Sequence, residues 1–196
     1  MKEFDYQRLV IAYHGCDASV RDRVIQSGIN LEPQPKRYDW LGHGVYFWEH
    51  GPARALEWAN QQQKRGKIET PAVLGAVLHL GRCFDLLDSK FTDILEDAYR
   101  RFYQAMEDAG STIPRNEPLH DGDTDHLLRN LDCAAINWTI AQLETDPGIH
   151  FHSVRGLFQE GAAVFPDSGI RRRSHIQIVV RDRACILGYF LPSNNP

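Results

Sequence analysis

Apolar residues along this chain fall into two rhythms, and their alternation sets the expected elements. Leu9-Val10-Ile11-Ala12-Tyr13 is a short unbroken apolar run and reads as a buried strand. Asp17 can cap a helix over residues 18–26, with Val20, Val24 and Ile25 on its inner side and Gly28 as its stop. Pro33 and Pro35 make residues 30–41 a loop. Val45-Tyr46-Phe47-Trp48 reads as a strand with Tyr46 and Trp48 on one side and Phe47 on the other. Gly51-Pro52 then opens a helix to about residue 65, with Ala55, Leu56 and Ala59 at helical spacing.

The second half follows the same logic. Residues 72–80 form a long apolar run that predicts a central strand ended by Gly81. Residues 89–109 carry Phe91, Leu95, Ala98, Phe102 and Met106 on one face of an amphipathic helix. A polar loop is expected over 110–123, a less regular helix over 125–143, and strands near 152–157, 175–181 and 184–190. Strands at both ends with helices between them predict one α+β domain over residues 1–196.

Composition narrows the class. A 42% hydrophobic and 24% charged chain of 196 residues has enough apolar material for one full core. The net charge of −4 argues against a molecule that traps nucleic acid as a whole. A local basic patch stays open: Arg171, Arg172, Arg173, Arg181 and Arg183 crowd one region, either as a solvated loop or as a phosphate-binding surface. Cys16, Cys83, Cys133 and Cys185 are too widely spaced for a zinc ribbon, so no metal is expected. Met1-Lys2-Glu3-Phe4-Asp5 is charged, and no apolar run reaches the roughly 20 residues that span a bilayer. The expectation is a cytoplasmic protein with reduced thiols and no membrane association.

Two short motifs carry the chemistry. Tyr13-His14-Gly15 ends the first strand-like run, and Tyr38-Asp39-Trp40-Leu41-Gly42-His43-Gly44-Val45-Tyr46-Phe47 leads into the second. Such an arrangement can place an imidazole and a phenol on opposite walls of one cleft, which suits a flat aromatic ring joined to a ribose. In this order, with a later helix from Pro52 and a late strand at His175-Ile176-Gln177-Ile178, the chain resembles the ADP-ribosyltransferase fold. The likeness is to the diphtheria-toxin-like and poly(ADP-ribose)-polymerase-like branch, in its small bacterial toxin-type form. It extends over most of the chain and finds no counterpart for residues 85–150. It implies a split mixed/antiparallel β core with flanking helices, and NAD as co-substrate.

The resemblance also implies roles. His14 would hydrogen-bond the adenosine ribose hydroxyls, an imidazole offering one donor and one acceptor; otherwise it is a strand-end histidine satisfied by backbone. Gly15 would offer its backbone to the nicotinamide carboxamide, where a side chain would block approach, or it is a turn glycine. Tyr46 would stack on the nicotinamide ring, or be a core strand tyrosine. Trp58 would form the opposite wall, or pack helix on sheet. Gln177 stands where the branch carries a glutamate, so its amide can accept a hydrogen bond from a ribose hydroxyl without supplying charge. Glu160 and Asp167 are the carboxylates placed to compensate, Glu160 as a base or as a turn residue in water. Arg155 would contact the NAD pyrophosphate or the acceptor. Asp132 and Asn137 read as structural anchors.

The function implied is transfer of a single ADP-ribose from NAD to a macromolecular acceptor, a nucleic acid or a protein, by a toxin or effector that would need an antitoxin partner. The missing glutamate keeps a second reading open: a non-catalytic module of the same fold that binds NAD or ADP-ribose. RNA 2′-phosphotransfer on a related fold is disfavoured, because this chain lacks a basic N-terminal half.

Overall fold

The computed structural model of the chain describes residues 5–119 and 125–193, with the backbone alone for residues 5–7. The expected α+β class is observed: one mixed six-stranded sheet, a two-stranded ribbon and four α-helices.

The sheet is built on two long strands. β1 (Asp5–Asp17) runs antiparallel to β3 (Pro71–Asp85), from Cys16 opposite Ala72 to Asp5 opposite Arg82. β1 gives its other edge to β2 (Val45–Glu49), but only at Ala12 opposite Glu49 and Tyr13 opposite Trp48. β2 pairs antiparallel with β7 (His175–Val180), and β7 with β6 (Ser153–Phe158). β6 then runs parallel to the end of β3 over Cys83–Asp85, so these five strands close a ring. β8 (Ile186–Phe190) adds to β3 outside the ring at Gly75–Leu78.

Closure depends on β3 continuing past Gly81, where the sequence predicted its end. Gly81 takes φ 56°, a left-handed conformation cheap for glycine alone, and the strand resumes to Phe84 and Asp85. Strand alternation then sorts the side chains. Val10, Ala12, Cys16, Phe47, Leu74 and Ile178 share one core on one face of the sheet. Phe84, Val154 and Val179 face outward, onto Phe91 of α3 (Ser89–Asp108) and Ile136 and Ile140 of α4 (Asn130–Leu143). All four cysteines are free and buried.

Two helices are fixed at their starts. α1 (Ala18–Ser27) is capped by Asp17, whose carboxylate accepts from the Ser19 amide and also from the Glu69 and Thr70 amides just before β3. These amides, Thr70 foremost, hold the Asp17 carboxyl well below the usual range. α2 (Pro52–Lys64) starts on Pro52, which surrenders an amide that would have had no helical partner.

Three expectations are corrected. α4 begins at Asn130, not near 125, because its first amides are capped from a distance: the Asn116 side-chain oxygen accepts from the Leu131 and Asp132 amides. Asn116–Glu117 (β4) and Leu128–Arg129 (β5) form the small ribbon, where a loop and a helical turn were expected. Residues 120–123 of the expected loop lie outside the described residues. Residues 183–185 form one 3-10 turn held by Asp182, so β8 starts only at Ile186. No described helix is long and apolar enough to cross a membrane.

Candidate functional site

The two motifs meet at the seam where β1 and β2 stop pairing. Beyond Tyr13 opposite Trp48 the strands part, and the His14 side chain crosses the gap. Its Nδ1 lies 2.8 Å from the Tyr46 carbonyl oxygen. A carbonyl can only accept, so Nδ1 carries the proton and the neutral ring keeps its lone pair on Nε2. Burial lowers the His14 pKa, against the opposing effect of the Tyr46 bond, and so favours this neutral form. Nε2 has no partner among the described residues.

Gly15 follows directly, and its hydrogen faces α2. A Cβ there would lie 2.3 Å from the Ala55 carbonyl oxygen and 3.2 Å from the Trp58 ring. The close approach that demands glycine is therefore made by α2. Trp58 leans over this spot and meets Trp48, ring centroids 5.9 Å apart. Trp48 is 4% exposed, and its indole N–H is buried without a partner among the described residues.

The Tyr46 side chain does not join His14. Alternation sends it to the outer face with Leu41 and Val179, whereas the His14 ring packs against Phe47, centroids 5.7 Å apart, on the inner face. The Tyr46 hydroxyl accepts from the Leu41 amide and donates to the Gly42 carbonyl, both at 2.9 Å. Burial raises its pKa well above the usual tyrosine value. Imidazole and phenol thus do not face each other across a cleft. Tyr46 contributes its carbonyl to the seam, and its phenol pins the loop that carries Trp40.

Gln177 lies on β7 opposite Trp48 and is 8% exposed. Its side-chain oxygen accepts from the Trp40 indole N–H at 2.5 Å. The Trp40 ring fills the space above Gly156, where a Cβ would lie 2.8 Å from the indole, and meets Phe158 at 5.0 Å. Next along β7, His175 stands between Trp48 and Phe158. Its Nδ1 donates to the Arg173 carbonyl at 2.6 Å, while burial pulls its pKa down to about 4.

Glu160 sits behind β6 as the centre of an ion network. One carboxylate oxygen takes Arg54 at 2.9 Å and the other takes Arg173 at 3.3 Å. Arg173 also pairs with Glu57 at 3.0 Å, and Arg54 contacts the same glutamate. The Gly161 amide donates to Asp125 at 2.8 Å and fixes the turn. Both Glu160 carboxylate oxygens are thus engaged by guanidiniums, and neither is left open toward an acceptor as the expected base would be. Asp167 is exposed in the loop beyond.

Arg155, expected at the NAD pyrophosphate or the acceptor, is instead engaged within the fold. It is 6% exposed and bound by Glu49 at 2.6 Å and Asp85 at 3.1 Å, a buried ion triad joining β6, β2 and β3. Asn137 and Asp132 act as anchors: Asn137 accepts from the His43 amide at 3.1 Å, and Asp132 accepts from the Asn116 side chain at 2.8 Å.

Two other places gather candidate groups. A groove of about 400 Å³ beside α3 and α4 is lined by Trp40, Leu95, Tyr99 and Ile136. His150, His152 and Asp182 bring ligand-type atoms within 4.8 Å of one another. The His152 Nδ1 accepts from the Arg82 amide at 3.0 Å, so the neutral ring holds its proton on Nε2 and is not set to bind a cation there.

The sequence motifs pointed to His14, Gly15 and Gln177 but not to Trp40, Arg54 or His175, whose proximity arises only from the closed ring. Alternation along β2 had already placed Trp48 beside Tyr46, yet gave no sign of its unpaired indole. No protein-family model, curated protein or solved structure matches this chain.

Proposed function

We propose that this protein binds NAD at the β1–β2 seam and transfers a single ADP-ribose to a macromolecular acceptor. The observation that carries the reading is the 2.8 Å bond from His14 to the Tyr46 carbonyl, which joins the two motifs at one point and fixes which imidazole nitrogen is presented. The donor set fits a nicotinamide riboside. His14 Nε2, on the Phe47 side of the seam, is an acceptor for a ribose hydroxyl, and the Gln177 amide and the buried Trp48 indole N–H, on the Tyr46 side, are donors for carbonyl or hydroxyl oxygen. Trp58 supplies aromatic surface against Trp48, and Trp40 supplies it beside Gln177. NAD itself would supply the scissile bond between nicotinamide and ribose; the chain's part is to orient the sugar and keep water away. A cytoplasmic toxin or effector with an antitoxin partner, acting on protein or nucleic acid, belongs to the same proposal.

A second reading, NAD or ADP-ribose binding without turnover, is favoured by two contacts. Glu160 is neutralised by Arg54 and Arg173, and the Gln177 carbonyl is already engaged by Trp40. Incubation with adenine-labelled NAD and cell lysate, alongside nicotinamide release without lysate, separates the two. Label on protein or nucleic acid, lost in His14→Ala at unchanged melting temperature, supports transfer. Saturable NAD binding with neither label nor nicotinamide release supports the module. No NAD binding at all sinks both.

A further inference from the structure

We infer that Trp40 is a positioning residue that makes Gln177 a hydrogen-bond donor toward the site, and that this orientation holds turnover down; the inference rests on the NAD reading above. An indole N–H can only donate, so the Gln177 atom 2.5 Å from it must be the oxygen. Turning the amide over would set an NH₂ against an N–H and leave the Trp40 donor unpaired beside a residue that is 8% exposed. The orientation is therefore a chemical consequence of the contact.

Trp40 has little freedom to relax. The Tyr46 hydroxyl holds the Leu41 amide and the Gly42 carbonyl immediately after it. The Asp39 carboxylate accepts from the Lys36 amide at 2.7 Å, and the Gly42 amide donates to the Asp39 carbonyl at the same distance. The ring itself is seated on Gly156 and against Phe158. Gln177 is fixed from both sides, opposite Trp48 on β2 and Gly156 on β6. Its Nε2 has no partner among the described residues and is the end left for a ligand.

A ribose hydroxyl meeting that NH₂ must accept. Accepting withdraws electron density from the sugar, whereas donating to an oxygen supplies it. Cleavage breaks the bond between the nicotinamide nitrogen and the sugar carbon, with the bonding pair leaving on nicotinamide. Water or the acceptor then bonds to that carbon and gives up its proton. Positive charge grows on the sugar as the bond breaks, so a donor at this point opposes the step that an acceptor would assist.

Trp40→Phe keeps an aromatic side chain, smaller than the indole, and removes the N–H, which frees the amide to turn its oxygen to the site. Gln177→Glu goes further: one carboxylate oxygen takes the Trp40 N–H and the second is presented with charge. The assay is nicotinamide release per bound NAD, with binding measured separately by dialysis of labelled NAD. Trp40→Phe should raise the rate several-fold, and Gln177→Glu by at least about tenfold, the size of one charge-assisted hydrogen bond made in the transition state. Adding Gln177→Ala to Trp40→Phe should abolish its gain. Hydrogen exchange of the Trp40 indole N–H, slow in the unaltered protein, should speed up in Gln177→Ala. A Trp40→Phe protein that binds NAD with an unchanged rate, or whose gain survives in the Gln177→Ala background, overturns the inference and leaves the NAD reading standing. If Trp40→Phe does not fold, Gln177→Glu decides alone, and no rise in rate overturns the inference. Failure of the unaltered protein to bind NAD removes the reading and the inference together.

Discussion

Gly15→Ala separates a glycine kept for a ligand from one kept for a helix. The added methyl would sit 2.3 Å from the Ala55 carbonyl oxygen, inside the 3.0 Å that such carbons essentially never breach. The obstacle is helix backbone, so no side-chain rotation relieves it. α2 would have to back away while Ala55 and Ala59, both fully buried, remain its contact surface with the sheet. Overpacking of this kind costs about 1–3 kcal/mol, and contact with rigid main chain puts Gly15→Ala at the upper end. For a domain of this size each kcal/mol moves the melting temperature by about 2–4 °C, so a fall of about 5–10 °C is expected. Gly169→Ala is the control: nothing lies within 4 Å of its added carbon, and its change should stay within about 0.5 kcal/mol. Calorimetry of the two variants is the assay. A Gly15→Ala protein melting within a degree of the unaltered one would refute the packing argument. If it had also lost NAD binding, the glycine would belong to the ligand after all.

Further outcomes are expected from the contacts at the site. Arg155→Ala strands Glu49 and Asp85 as buried carboxylates and should lower stability by about 3–5 kcal/mol in urea unfolding, a cost absent if Arg155 were a surface ligand. Tyr46→Phe leaves the Leu41 amide and Gly42 carbonyl short of a partner and should cost about 1–3 kcal/mol; an unchanged urea midpoint would mean the phenol is not the pin of that loop. His175 has a folded pKa of about 4 against an ordinary 6.5, and His14 is lowered as well, so between those values the unfolded chain binds more protons. Stability should therefore be fully present above about pH 6.5 and fall as the pH drops toward 4. A flat urea midpoint across that window would show that neither ring is buried neutral.

The sequence was most readable where local periodicity and capping agree. The α3 face from Phe91 to Phe102, the Asp17 cap and the Pro52 start needed only neighbours in the chain. It was least readable where a distant group decides. A glycine usually ends a strand, yet β3 runs through Gly81 because β1 on one edge and β6 beyond it supply partners on both sides of the kink. α4 starts five residues late because Asn116, fourteen positions before Asn130, caps it. At the site, motif spacing brought His14 and the Tyr46 main chain together, but strand alternation carried the phenol to the other face. Arg155 looked like a phosphate ligand because its two carboxylate partners lie on β2 and β3, and only ring closure brings them near.

Ring closure also bears on the proposed placing of the ligand at the seam. Neighbouring strands in a closed ring satisfy each other's backbone groups, so an approaching molecule finds little to bond wherever the ladder is complete. Two junctions are thin. β6 meets β3 at three register pairs, but side chains seal that joint: Ser153 donates to the Leu80 carbonyl at 2.6 Å, and Arg155 bridges to Asp85. β1 meets β2 at two register pairs, and past Tyr13 the two strands are joined, among the described residues, by one imidazole bonded to one carbonyl. Under the proposal, NAD accordingly lies along the β1–β2 seam and the side chains beside it. There the chain sets out one amide donor and one buried indole N–H on the Tyr46 side of the sheet, and one imidazole lone pair on the Phe47 side. A single lone pair set against these donors is a composition for holding a hydroxyl- and carbonyl-rich molecule more than for driving its cleavage, which is why the orientation of Gln177 decides between the two readings.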